Sequence, residues 1–278
     1  MQTTPLPKTD FQVYGPNANS MTPTSAGTSI PATGYAAQAQ ALSPNNQGYA
    51  QGADALRVAQ AAPTGAAPAN TIPAQYAGRS DAWRTGYRDG MGQAAGGLRN
   101  VEQDAATGDA LAFASRETGI SVDDLTAMAI IESTGNRNVG TNAFGYTGLM
   151  QMGRSAAKDV GTSYAGIQGG KNVQNNALAG AQYWQLNDGR LNANIPRDPL
   201  HMYLAHQQGA GGTNSLMSGL KTAPNRAANR NQRNNLPSTL RRTLGRPITR
   251  QDFYDYWSGK MTAIQDAIAA RRAESAVV

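Results

Sequence analysis

The strongest helical periodicity in this chain begins only after the first hundred residues. A run over 109–118 ends at Gly119, a residue suited to the left-handed position that closes a helix. Ser121 then stands as an N-cap, with Asp124 three residues on, an S-x-x-D box. The next run, Leu125-Thr126-Ala127-Met128-Ala129-Ile130-Ile131, is apolar almost all the way round, which predicts a helix at the centre of a domain. It ends in Glu132-Ser133 and the turn-rich Thr134-Gly135-Asn136. Residues 134–152 read as loop, punctuated by Gly140, Gly145 and Gly148. Further helices are predicted over 155–160, 172–186 and 200–208, the last stopped by Gly209. Thr249 with Asp252 makes a second capping box. Phe253, Trp257, Met261, Ile264 and Ile268 then recur at three- and four-residue spacing, an amphipathic helix whose stripe faces a core. The pattern predicts a mainly α domain over 105–270.

Residues 1–78 show neither period. They are rich in Ala, Pro, Gly, Thr, Asn and Gln, and carry only Lys8, Asp10, Asp54 and Arg57 as charges. Such a segment cannot bury enough apolar surface to offset its ordering entropy. The expectation is a low-complexity, largely extended arm, disordered or ordered by partner proteins. Residues 79–104 form a bridging segment. Trp83, Tyr87 and Met91 share one helical face there, a packing strip for the domain that follows, while Gly86, Gly90 and Gly92 weaken the helix.

Composition narrows the function. Only 15% of the residues are charged and 6% aromatic, so the folded core is concentrated in one region. With no cysteine, disulfide staples, thiolate metal sites and a cysteine nucleophile are excluded. The net charge of +6 suits nucleic acid, anionic lipid or the bacterial cell wall without choosing among them. No apolar run reaches the roughly 18 residues of a membrane span. The N-terminus lacks a basic region followed by an apolar one, so no secretory signal is expected.

Glu132 carries the chemistry. It lies four residues after Met128 and seven after Leu125, on their face. A carboxyl at the end of a buried helix is costly to ionise, so its pKa rises and it can act as a general acid near neutrality. On the helix argument alone, a glutamate that simply reaches solvent fits equally well.

Four stretches in order settle the comparison: Ala-Met-Ala-Ile-Ile-Glu-Ser at 127–133, Gly-Leu-Met-Gln-Met at 148–152, Asn172-Val173 with Tyr183, and Tyr203-Leu204-Ala205-His206-Gln207-Gln208-Gly209-Ala210-Gly211-Gly212. Together they resemble the soluble lytic transglycosylase family over about 105–220. The resemblance implies a lysozyme-like fold acting on peptidoglycan glycan strands without a cofactor or metal. It makes Glu132 the catalytic acid and places Ser133, Met150, Gln151, Asn172, Tyr203, His206 and Gln207 on the substrate side. His206 stands where the family usually has the tyrosine that meets the glutamate. This variant, with the later Gly245-Arg246-Pro247-Ile248-Thr249, is similar to bacteriophage virion transglycosylases and implies a virion protein that opens the host wall during DNA ejection. An imidazole beside Glu132 is expected to tune its proton between about pH 5 and 8. Residues 133–158 contain no Asp or Glu to serve as a second carboxylate. That fits a route assisted by the substrate's own N-acetyl group, and the resemblance implies a 1,6-anhydromuramyl product.

Three other features are weighed against this. His201 and His206 are five residues apart, a poor spacing for two zinc ligands on one helix. Gly209-Ala210-Gly211-Gly212 lacks a following Lys-Ser or Lys-Thr, so it reads as a turn rather than a phosphate cradle. Residues 221–250 hold eight Lys or Arg and no acid. They read as a solvated loop, or as a contact for DNA phosphates or anionic wall polymer.

Overall fold

The computed structural model describes residues 72–276. The extended arm expected for residues 1–71 lies outside the described residues. Among the described residues the chain is helical, with no strand, in nine α-helices: α1 (Asp81–Gln103), α2 (Ala105–Thr118), α3 (Val122–Ser133), α4 (Arg154–Asp159), α5 (Val173–Asp188), α6 (Pro199–Thr222), α7 (Arg230–Asn234), α8 (Ser238–Leu244) and α9 (Arg250–Ala276).

Helix α3 is the hub. Leu125, Ala127, Met128, Ala129 and Ile130 have no exposure, because α1, α2 and α9 all pack on it. Its start is set by the Ser121 hydroxyl, which accepts from the Asp124 N–H at 3.0 Å. Helix α2 begins four residues earlier than the pattern predicts, at Ala105, and ends at Gly119 with φ 73°. Helix α5 packs across α2 and α6. Helix α6 breaks at Gly209, where φ 71° and ψ 158° interrupt the helix before it resumes as far as Thr222. The predicted stop is therefore real, and a second helical stretch follows it.

The bridging segment is a full helix. It lies along α9 in the same direction: Ser80 donates to Asp255, Tyr256 to Asp89, and Arg271 pairs with Glu102. The glycines expected to weaken α1 are what allow this approach. A Cβ on Gly86 would sit 2.0 Å from the Tyr256 carbonyl oxygen, and one on Gly90 would sit 2.6 Å from that of Lys260. Trp83 and Tyr87 stack at 5.1 Å and pack on Ala263, so the predicted strip does face the domain. Ile72 and Tyr76, within the segment read as arm, join this cluster, and the Tyr76 hydroxyl donates to Asp266.

Residues 221–250 are not a plain loop. Asn229 and Gln232 form a reciprocal capping box that starts α7, and Gln232, Leu236, Leu240 and Ile248 are buried. The stripe of Phe253, Trp257, Met261, Ile264 and Ile268 on α9 is buried throughout. Thr249 and Asp252 cap that helix reciprocally at 2.8 and 3.1 Å, and Arg246 grips the Asp252 carboxylate with both terminal nitrogens.

Candidate active site

The last turn of α3 presents Glu132. Beyond Ser133 the chain leaves the helix through Thr134 in the left-handed region, φ 53°. The carbonyls that end such a helix need donors. Helix α1 supplies them: Gln93 donates to the carbonyls of Ile130 and Ile131 at 2.6 and 3.0 Å, and Asn100 donates to that of Thr134 at 2.8 Å. The Ser133 hydroxyl turns back to the Ala129 carbonyl at 3.0 Å. The turn that carries Glu132 is thus fixed from outside its own helix.

The Glu132 side chain has no exposure, and neither carboxyl oxygen makes a hydrogen bond of ordinary length. Burial pushes its pKa up to about 8, against the opposing pull of the Lys260 ammonium and the Tyr203 hydroxyl. The carboxyl therefore keeps its proton at neutral pH, as a general acid requires. Of the two readings the helix pattern left open, the structure takes the buried one.

His206, on α6, places Nε2 3.8 Å from the Glu132 carboxyl. Its ring meets Tyr183 edge-on, with centroids 5.6 Å apart. Burial lowers the imidazole's pKa to about 4, so His206 is neutral near pH 7. The expected histidine titration between pH 5 and 8 is corrected by this: desolvation moves it below that window.

A cleft of about 280 Å³ opens beside this pair. His206, Gln207 and Gln151 line it, with Phe144, Tyr146, Tyr183 and Arg154, and no Asp or Glu is among its walls. Aromatic faces with a few placed polar groups are the usual make-up of a ligand cleft. Gln151 takes an uncommon positive φ of 44°, held by its donation to the Gly148 carbonyl and by Asn142 donating to its side-chain oxygen.

The other site residues named from sequence are not walls of the cleft. Met150 is buried and donates its N–H to Asn176 Oδ1 at 2.8 Å. Tyr203 is buried and accepts from Gln207 at 3.2 Å. Ser133 is spent on its own helix. Asn172 opens α5, donates to the Gln168 carbonyl and is not a wall of the cleft.

Four residues escaped the sequence reading. Asn176, with no exposure, ties Met150 to the carbonyls of Thr147 and Ile167. Gln208 continues an amide chain from Tyr203 and Gln207 to Asn231 on α7. Gln93 holds the turn that carries Glu132. Lys260 on α9 is fully buried and acts on Glu132. Its signal was available: it stands three residues after Trp257 and four before Ile264, a lysine on the apolar stripe.

Residues 109–229 match the transglycosylase SLT domain. The match covers α3, the cleft loop, α5 and α6, which hold Glu132, Gln151, Tyr183 and His206. It makes the fold of this part lysozyme-like and supports a lytic transglycosylase acting on peptidoglycan. Helices α1 and α9, which pack on each other and on α3, lie outside it. No curated protein matches the chain. Among the described residues, no helix is long and apolar enough to cross a membrane.

Proposed function

We propose that the protein cleaves the glycosidic bond between N-acetylmuramic acid and N-acetylglucosamine, leaving a 1,6-anhydromuramyl end. One observation carries the reading: a glutamic acid side chain with no exposure, which favours its protonated form, beside a cleft whose walls among the described residues hold no second carboxylate. Glycosidases with two carboxylates use the second as base or nucleophile. Here the muramyl N-acetyl oxygen would support C1 while Glu132 protonates the leaving oxygen. The resulting Glu132 carboxylate would then take the proton of the C6 hydroxyl as that oxygen closes on C1. His206 is both a wall of the cleft and a polar neighbour of the acid, so a shift of its ring would open Glu132 to the sugar.

The setting we favour is a bacteriophage particle acting at the host wall or periplasm, a reading supported by the His206 form of the last motif. The arm would then meet other virion proteins. Lys221, Arg226, Arg230, Arg241 and Arg242 are exposed and would meet DNA phosphates or anionic wall polymer.

Digestion of purified sacculi tests the reaction. Wild-type protein should release muropeptides lighter by one water than hydrolysis products, and Glu132→Gln should release none while keeping its helical circular dichroism. Full digestion by a folded Gln variant would remove Glu132 from the mechanism. Products carrying the extra water would make the protein a muramidase hydrolase, and an inert wild type would leave a structural role in the particle.

A further inference from the structure

A second charged group lies under the active site, where the mechanism above does not use it. Lys260 has no exposure, and its Nζ sits 5.2 Å from the ring centroid of Trp257. An ammonium in such a place is retained only if negative charge faces it. Two carboxyls do so from different helices: Asp89 on α1 and Glu132 on α3. Asp89 is held in turn by the Tyr256 hydroxyl at 2.9 Å, and Arg88 acts on it from its own helix. Glu132 is faced from α6 by Tyr203 and His206.

The helix seam fixes the position of Lys260. The Gly90 backbone lies against its carbonyl, so α1 brings Asp89 to the lysine with little room for adjustment. Asp89, partly buried, and Glu132, with no side-chain exposure, thus flank the buried Lys260 ammonium from two helices packed on α9, and Glu132 joins as a second negative charge only once its proton has left. Asp89 and Lys260 come from helices outside the SLT segment.

We propose that Lys260 is a positioning residue for Glu132: held from behind by Asp89, its ammonium is the counter-charge that steadies the glutamate carboxylate after the proton has left. This rests on the reading of Glu132 as the acid. In the first half of the reaction Glu132 is neutral and asks nothing of Lys260. In the second half the carboxylate exists for the time it takes to collect the C6 proton. In so buried a place the Tyr203 hydroxyl alone leaves the carboxylate costly to form, and the Lys260 ammonium supplies the opposite charge.

The coupling can be read without substrate. In the full chain, 13C NMR would follow the Lys260 side chain in wild type and Glu132→Gln, and the Glu132 carboxyl in wild type and Lys260→Met/Asp89→Asn. The double variant removes the Lys260 and Asp89 charges together, so neither is stranded. Removing the Glu132 charge should lower the Lys260 midpoint, and removing the Lys260 charge should raise the Glu132 midpoint, each by about one pH unit. In sacculus digestion the double variant should lose about tenfold in kcat with KM unchanged, and its alkaline limb should move up with the Glu132 midpoint. If the double variant does not fold, the Lys260 midpoint in Glu132→Gln decides alone. Unmoved midpoints would overturn the proposal, as would a double variant altered only in KM. Digestion by Glu132→Gln would instead overturn the catalytic reading and leave the coupling standing.

Discussion

An acid kept ready by burial should make the protein less stable than it could be, and the cost can be worked out. The Glu132 carboxyl is raised from 4.5 to about 8 in the folded state. At pH 7 the native protein therefore holds a proton that the unfolded chain has released. Each pH unit above the unfolded value costs about 1.4 kcal/mol, so at pH 7 the burden is about 3 kcal/mol. Because the folded value is the higher one, this site costs nothing well below pH 4.5, and the penalty grows until pH passes about 8. Glu132→Gln keeps the shape and never ionises. It should gain about 3 kcal/mol at pH 7, roughly 6–12 °C in Tm for a domain of this size. The gain should shrink to nearly nothing at about pH 4. Thermal and urea unfolding at both pH values measure it. A Gln variant no more stable than wild type at pH 7, or one with the same gain at both pH values, would refute the burial argument.

Three further outcomes follow from particular contacts. Gly86→Leu places a Cβ 2.0 Å from the Tyr256 carbonyl and should cost about 3 kcal/mol or more in a melt, whereas Gly92→Ala, with nothing within 4 Å, should gain up to about 1 kcal/mol of helix propensity. Asp252→Ala removes the cap of α9 and the partner of Arg246, and should cost about 1–2 kcal/mol in urea unfolding. His206→Tyr should digest sacculi with a pH profile unchanged between about pH 5 and 8, because burial already keeps the imidazole neutral there; a moved midpoint would show that His206 titrates in that range.

What could be read in the sequence is what depends on neighbours along the chain. Helix α3 was legible because a run apolar on every side can only be central, and α9 because Thr249 and Asp252 announce its start. The meeting of Glu132 with His206 was legible because an ordered set of motifs carries both. The α1 seam was not. Gly86 and Gly90 look like helix weakeners until the backbone they receive is known, and that backbone lies 170 residues further on. A similar distance hid Asp89 beneath Lys260, while Gln93 stands 37 residues before the carbonyl of Ile130 that it holds, still too far for a local pattern to show. Residues 221–250 misled for another reason: charge and asparagine dominate, while the few anchors, Leu236, Leu240 and Ile248, are too sparse to show a period.

The pairing of the first described helix with the last also sets an order of events. Asp89 and Tyr256 are 167 residues apart, and Glu102 and Arg271 are 169 apart. Closing so long a loop comes late in folding. During synthesis the SLT segment leaves the ribosome while its final supporting helix is still unmade. Until that helix docks, Lys260 is absent and α1 has nothing to lie against. An activity seated on Glu132 would thus await the docking of α9. A product stopped before residue 256 should be inert rather than partly active in sacculus digestion.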